Sequence, residues 1–139
     1  MTGHLEAIHI APGHGQDMQP CQTARVIEGA GLEGDRYARG DHAGQIMLMP
    51  GEVLDRLDLW PGSVRENLTT RGIDLMALPP GARLRIGEAI LESTGAAPPC
   101  LHNDKKRNEL RGLLSGRRGL LCRAVQGGEI RAGDVIEVL

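Results

Sequence analysis

The stretch GARLRIGEAILEST, residues 81–94, decides the fold. Gly87-Glu88 reads as a two-residue hairpin loop between two short alternating runs. Such a loop pairs Ile86 with Ala89, Leu84 with Leu91 and Arg83 with Glu92. The first two pairs share one apolar face. The third places opposite charges on the other face, as a half-buried strand pair requires. Turn, alternation and charge therefore agree on an antiparallel hairpin with one face in a core.

Working outward, glycine-bearing breaks recur along the whole chain, which has 20 Gly and 8 Pro in 139 residues. Most intervals between them are too short for long helices. Apolar runs at 5–10, 45–49, 120–125 and 135–139 read as further strands. Residues 131–138, RAGDVIEV, resemble PGARLRI at 80–86 in pattern, a glycine turn feeding an alternating strand, without forming a repeat. Two helices are expected. Residues 51–58 follow Pro50 and carry Val53, Leu54 and Leu57 on one stripe. Residues 103–114 begin with charge, present Leu110, Leu113 and Leu114, and meet Gly116 as a stop. Many short strands with two minor helices predict a mainly β chain, a closed or nearly closed barrel. The length fits one domain over residues 1–139.

Composition excludes several functions. The chain has one Trp, one Tyr and no Phe, so a stacking platform for single-stranded nucleic acid is missing. The formal charge is −2, from 16 basic and 18 acidic residues, so no global basic field exists to hold a nucleic acid. No apolar run approaches the ~20 residues of a membrane span. The first residues lack a basic-then-apolar leader, and a cytoplasmic location is expected. Cys21, Cys100 and Cys122 are an odd number without a C-x-x-C pair, so a disulfide framework is not expected. Cys100 and His102 form one C-x-H pair, short of the four ligands of a structural zinc site.

Four segments can carry chemistry. Cys100 follows Pro98-Pro99 and precedes the second expected helix. A helix dipole and the cations Lys105, Lys106 and Arg107 favour its thiolate, while Asp104 opposes them. Cys122, mid-strand, reads as structural, and Cys21 as exposed. GLEGDRY, residues 31–37, offers glycines for close backbone approach, Asp35 to bind a backbone turn and Arg36 to face an anion; a tight turn explains the same spacing. RENLTTRG, residues 65–72, combines Arg65 and Arg71 with the polar Asn67, Thr69 and Thr70. That mixture suits a phosphate-bearing ligand or a capped turn. The basic run 105–118 holds six cations against Glu109 and reads as a solvated helix face or a rim for an anion.

Taken in order, GLEGDRYA (31–38), RENLTTRGIDL (65–75), GARLRIGEAILEST (81–94), PPC (98–100) and GRRGLLCRAVQGGEIRAGDVIEV (116–138) resemble the MOSC family. These are domains similar to the C-terminal domain of molybdenum-cofactor sulfurase. The resemblance spans nearly the whole chain and implies a barrel-like fold of the pyruvate-kinase type with two or three short helices. It implies that Cys100 is a sulfur-carrying or molybdenum-binding thiol. It assigns pocket positions to Gly34, Asp35, Arg36 and Asn67, and more distantly to Arg65, Thr69 and Arg71. QIMLM at 45–49 departs from the family's more polar strand, and Leu101-His102-Asn103 from its usual wall beyond the thiol.

The function so implied is a stand-alone sulfur carrier or molybdenum-cofactor (molybdopterin) binder. Its implied partners are a sulfur donor of the cysteine desulfurase type and a molybdoenzyme or electron-transfer protein. Pyridoxal phosphate would belong to the desulfurase: Lys105 and Lys106, the only lysines, are poorly placed to hold it. Two alternatives stand beside this. One is a cofactor-dependent reductase of N-hydroxylated compounds with Cys100 on molybdenum. The other is a binding or regulatory module without chemistry. With Tyr37 the nearest ring by motif, any grip on a pterin rests on arginine, backbone and Cys100, and is modest without a partner.

Overall fold

The computed structural model describes residues 1–13, 15–38, 40, 45–96 and 119–139. Its strands in chain order are β1 (Thr2–Ile10), β2 (Gln19–Cys21), β3 (Thr23–Ile27), β4 (Gly31–Leu32), β5 (Ile46–Pro50), β6 (Leu68–Arg71), β7 (Arg83–Ile86), β8 (Ala89–Ala96), β9 (Leu120–Gln126), β10 (Gly128–Arg131) and β11 (Val135–Val138). Among the described residues one helix, α1 (Gly51–Arg56), links β5 to β6, and one 3-10 turn covers Leu75–Ala77.

The expected hairpin is present in the expected register. Arg83 faces Glu92, Leu84 faces Leu91 and Ile86 faces Ala89. Gly87 takes φ +54, the sign that a tight hairpin loop requires and that glycine adopts without steric cost. On the outer face Arg83 Nε reaches Glu92 Oε2 at 3.0 Å, and Arg123 Nη2 reaches Glu92 Oε1 at 2.9 Å. One carboxylate thus ties β7, β8 and β9 together. The two arginines hold its pKa below the ordinary carboxylate value.

From that hairpin the sheet runs β11-β7-β8-β9-β5-β6-β1 and closes by pairing β11 with β1. Seven strands make the barrel, and β2 extends the sheet from the other half of β1. A bulge between Leu5 and Ala7 bends β1, and backbone bonds Leu5 N to Asp134 O (2.8 Å) and Gly133 N to Leu5 O (2.6 Å) lock β11 onto it. Leu5, Leu48, Leu68, Leu84, Ile86, Leu91, Cys122 and Ile136 fill the interior. Closure leaves no open edge along the barrel wall, which is how an all-β chain avoids edge-to-edge pairing.

Two features were not expected. A small second sheet, β10-β3-β4, lies beside the barrel. Gln45 tethers it: the side chain donates from Nε2 to Gly29 O at 2.9 Å and accepts on Oε1 from Ala124 N at 3.0 Å. β5 and β6 are parallel, with Leu48 opposite Leu68, so the chain crosses over through α1 as parallel pairing demands. The helix is shorter than its expected range, ending at Arg56, and Asp58 turns the chain at φ +53. Val53 and Leu54 pack with Met49 against the outer barrel wall. Among the described residues no helix is long and apolar enough to cross a membrane. The expected helix at 103–114 lies outside the described residues.

Candidate functional site

At the entry to β6, Asn67 is buried and uses its whole amide. Its Oδ1 accepts from Met47 N at 2.9 Å, and its Nδ2 donates to His9 O at 3.1 Å and Asp35 Oδ1 at 3.2 Å. Asp35, also buried, follows Gly34 (φ +87) in the turn after β4. Its Oδ1 also accepts from Ala11 N at 2.7 Å, and its Oδ2 accepts from Tyr37 N at 3.1 Å. Arg36 N closes the same knot on Ala11 O at 2.8 Å. Two segments far apart in sequence, GDR at 34–36 and ENL at 66–68, are thus clasped together at the end of β1. Asp35 does bind backbone. Asp35 and Asn67 point their polar atoms inward and hold the loops in place, so a ligand would meet what they position.

The arginines divide by partner. Arg71 donates from Nε to Glu6 Oε1 at 2.6 Å and from Nη1 to Asp55 Oδ2 at 2.5 Å, with Nη2 reaching both carboxylates. These bonds raise the Arg71 pKa above its ordinary value and lower that of Asp55. Arg71 therefore staples α1 to the barrel wall; its guanidinium nitrogens are all engaged. Thr69 also faces inward, donating its hydroxyl to Glu66 Oε2 at 2.8 Å. Arg36 lies over the Tyr37 ring, 4.8 Å from its centroid. Arg65 differs from Arg71. It has no carboxylate partner among the described residues, and donates from Nη1 to Gln16 O at 3.1 Å on the exposed side. Its backbone sits at φ +64, one of two described non-glycine residues in the left-handed region, a conformation that costs energy and clusters at functional sites.

Sequence reasoning passed over Glu66 and His9. Glu66 is 0% exposed. Its Oε2 accepts from Gly62 N at 3.0 Å and from Thr69, while Oε1 is buried without a partner among the described residues. The His9 ring lies against Gly62, where a Cβ would stand 2.8 Å from Nε2, and its Nδ1 is likewise buried and unpartnered. The polar neighbours Asn67, Thr69 and Thr70 give no local sign that Glu66 is buried.

Of the cysteines, Cys122 is buried in the barrel, and burial pushes its thiol up to about 12. That thiol is inert at neutral pH, as its mid-strand position implied. Cys21 is half-buried on β2, with Sγ 3.7 Å from Gln19 O. Cys100, with Lys105 and Lys106, lies outside the described residues. The flanks of that segment are described. Ala96 on β8 pairs with Leu120 on β9, and a Cβ on Gly119 would press on Leu48 O at 1.9 Å. The strand ends on either side of that segment are therefore neighbours, and β5 alone lies between β9 and β6. Among the described residues no three His, Cys, Asp or Glu gather as a metal site.

The family model for the MOSC domain matches residues 45–137. No curated protein matches the sequence. Solved structures that share the fold include the following three. The YUAD protein from Bacillus subtilis has a TM-score of 0.84 at 21% identity, covering 99% of this chain and 96% of that one. YiiM from Escherichia coli has a TM-score of 0.72 at 20% identity, covering 100% and 70%. YiiM from Geobacillus stearothermophilus has a TM-score of 0.74 at 19% identity, covering 99% and 75%.

Proposed function

Because the chain belongs to the MOSC family, we propose that it binds or sulfurates the molybdenum cofactor through the thiol of Cys100. The observation that carries this reading is the clasp of Asp35 on Asn67 with Arg65 beside it. That clasp joins segments 34–36 and 66–68, which resemble the family's pocket motifs, and Arg65 brings a guanidinium with no carboxylate partner among the described residues.

The residues fit such a group. A phosphate on a pterin suits the fork of Arg65, with Arg36 and Tyr37 as a second, stacked contact. A soft metal or a transferable sulfur suits a thiolate. Gly34, Asp35, Asn67, Thr69 and Arg71 are then the frame that holds these groups in place. When bound, the cofactor supplies metal-centred redox chemistry; the chain supplies grip and the thiol.

In sulfur transfer, the Cys100 thiolate attacks the outer sulfur of a donor persulfide. One S–S bond forms on Cys100 as the donor's S–S bond breaks, and the donor leaves as a thiolate. No net electron transfer is needed. The donor is a separate desulfurase-type enzyme that holds its own pyridoxal phosphate, and the recipient is a molybdoenzyme or its cofactor.

Equilibrium dialysis against released molybdenum cofactor, counting molybdenum and pterin together, tests the binding half. Wild type takes up both in equal amounts, and Cys100→Ser and Arg65→Ala take up less. Wild type that takes up neither overturns it.

A further inference from the structure

We propose that Glu66 is the positioning residue that aims Arg65 outward as an anion contact, an inference that rests on the cofactor-phosphate reading above. The corner before β6 is built around this carboxylate. Its Oε2 accepts from Gly62 N on one side of the corner and from Thr69 Oγ1 on the other, at 3.0 and 2.8 Å. Arg65 N closes the corner on Gly62 O at 3.0 Å. The two bonds to Oε2 tie Gly62, ahead of Arg65, to Thr69, beyond it, and Arg65 lies in the corner between them at φ +64.

The consequence is a sharp division of direction. Glu66, Asn67, Leu68, Thr69 and Thr70 are all buried, whereas the Arg65 guanidinium reaches Gln16 O at an exposed position. Both devices are expensive. A wholly buried carboxylate with one unpartnered oxygen is costly unless its bonds do something an apolar group could not. A left-handed arginine adds backbone strain. Together they fix where one cation points. Arg71, three residues past Leu68, shows the alternative: an arginine in relaxed strand geometry whose guanidinium goes to Glu6 and Asp55.

The test is a titration of the full chain with inorganic phosphate at low salt, read on the Arg65 Nε–Hε resonance. It compares wild type, Arg65→Ala, Glu66→Gln and the double variant, with backbone resonances of β6 read for the three variants. Glu66→Gln keeps size and one acceptor oxygen. It is expected to shift the Arg65 resonance without phosphate and to weaken phosphate binding about tenfold. The double variant is expected to bind no more weakly than Arg65→Ala. Thr69→Val, which removes one bond to Oε2, gives a smaller loss in the same direction and serves if Glu66→Gln does not fold. Unchanged phosphate affinity in both Glu66→Gln and Thr69→Val overturns the inference, as does a further loss from Glu66→Gln on top of Arg65→Ala. Unchanged affinity in Arg65→Ala overturns this inference and the phosphate reading of Arg65 together.

Discussion

Asn67 shows how a residue type can be chosen for a saturated position. A carboxamide alone has one acceptor and two donors on a short stem, and the structure uses all three, on Met47 N, His9 O and Asp35. Asn67→Asp removes both donated bonds and places a second carboxylate against Asp35. We expect it to cost about 3 kcal/mol in urea unfolding. An unchanged midpoint would remove Asn67 from the frame. Cys122 makes a second prediction at this scale. Because burial pushes its thiol up to about 12, an alkylating reagent at pH 8 leaves it unmodified in the folded chain and modifies it once urea unfolds the barrel. Peptide mass mapping reads the difference.

At the scale of elements, the β7–β8–β9 ladder turns on Glu92. Arg83 first, and Arg123 second, lower its pKa from the ordinary 4.5. A depressed folded pKa means the unfolded chain binds the proton more readily. The stabilisation is therefore fully present above pH 4.5 and is lost as pH falls through the lower folded value. Asp55, lowered from 3.8 by Arg71, adds in the same direction at slightly lower pH. Wild type is expected to lose stability below pH 4.5 more steeply than Glu92→Gln in a pH series of thermal melts; parallel curves would contradict this. Gly119→Ala acts on the neighbouring pairing. Its methyl would meet backbone Leu48 O at 1.9 Å, so β9 must separate from β5 there, and we expect a cost of about 3 kcal/mol or more by the same melts.

The same scale explains what could be read in advance. The β7–β8 register was legible because turn, alternation and charge pair all lie within ten residues. The strands β5, β9 and β11 announced themselves as short apolar runs. The second sheet did not, since β3 pairs with β10 a hundred residues away and β4 has only two residues. The parallel β5–β6 pair is also non-local. At the site, Asp35 as a backbone binder was legible from its turn. That Arg71 would go to Glu6 and Asp55 was not, because those partners come from β1 and α1 and meet only in the folded chain. Glu66 was hidden because nothing local distinguishes a buried glutamate from a solvated one.

The described residues form a closed barrel in which the segments 34–36 and 66–68 meet at the clasp. Scarce aromatics remain its peculiarity. Trp60 and Tyr37 are the only Trp, Tyr or Phe side chains, and both are exposed, so grip on a planar ligand falls mainly to arginine and the thiol, with Tyr37 the one such ring at the clasp. The central claim is that this thiol is Cys100. It is tested most directly by the intact mass of the chain after incubation with a cysteine desulfurase and cysteine, followed by removal of free thiols. One added sulfur is expected on wild type and on Cys122→Ala, and none on Cys100→Ser. Wild type without the added sulfur, or Cys100→Ser that still gains it, would contradict the account.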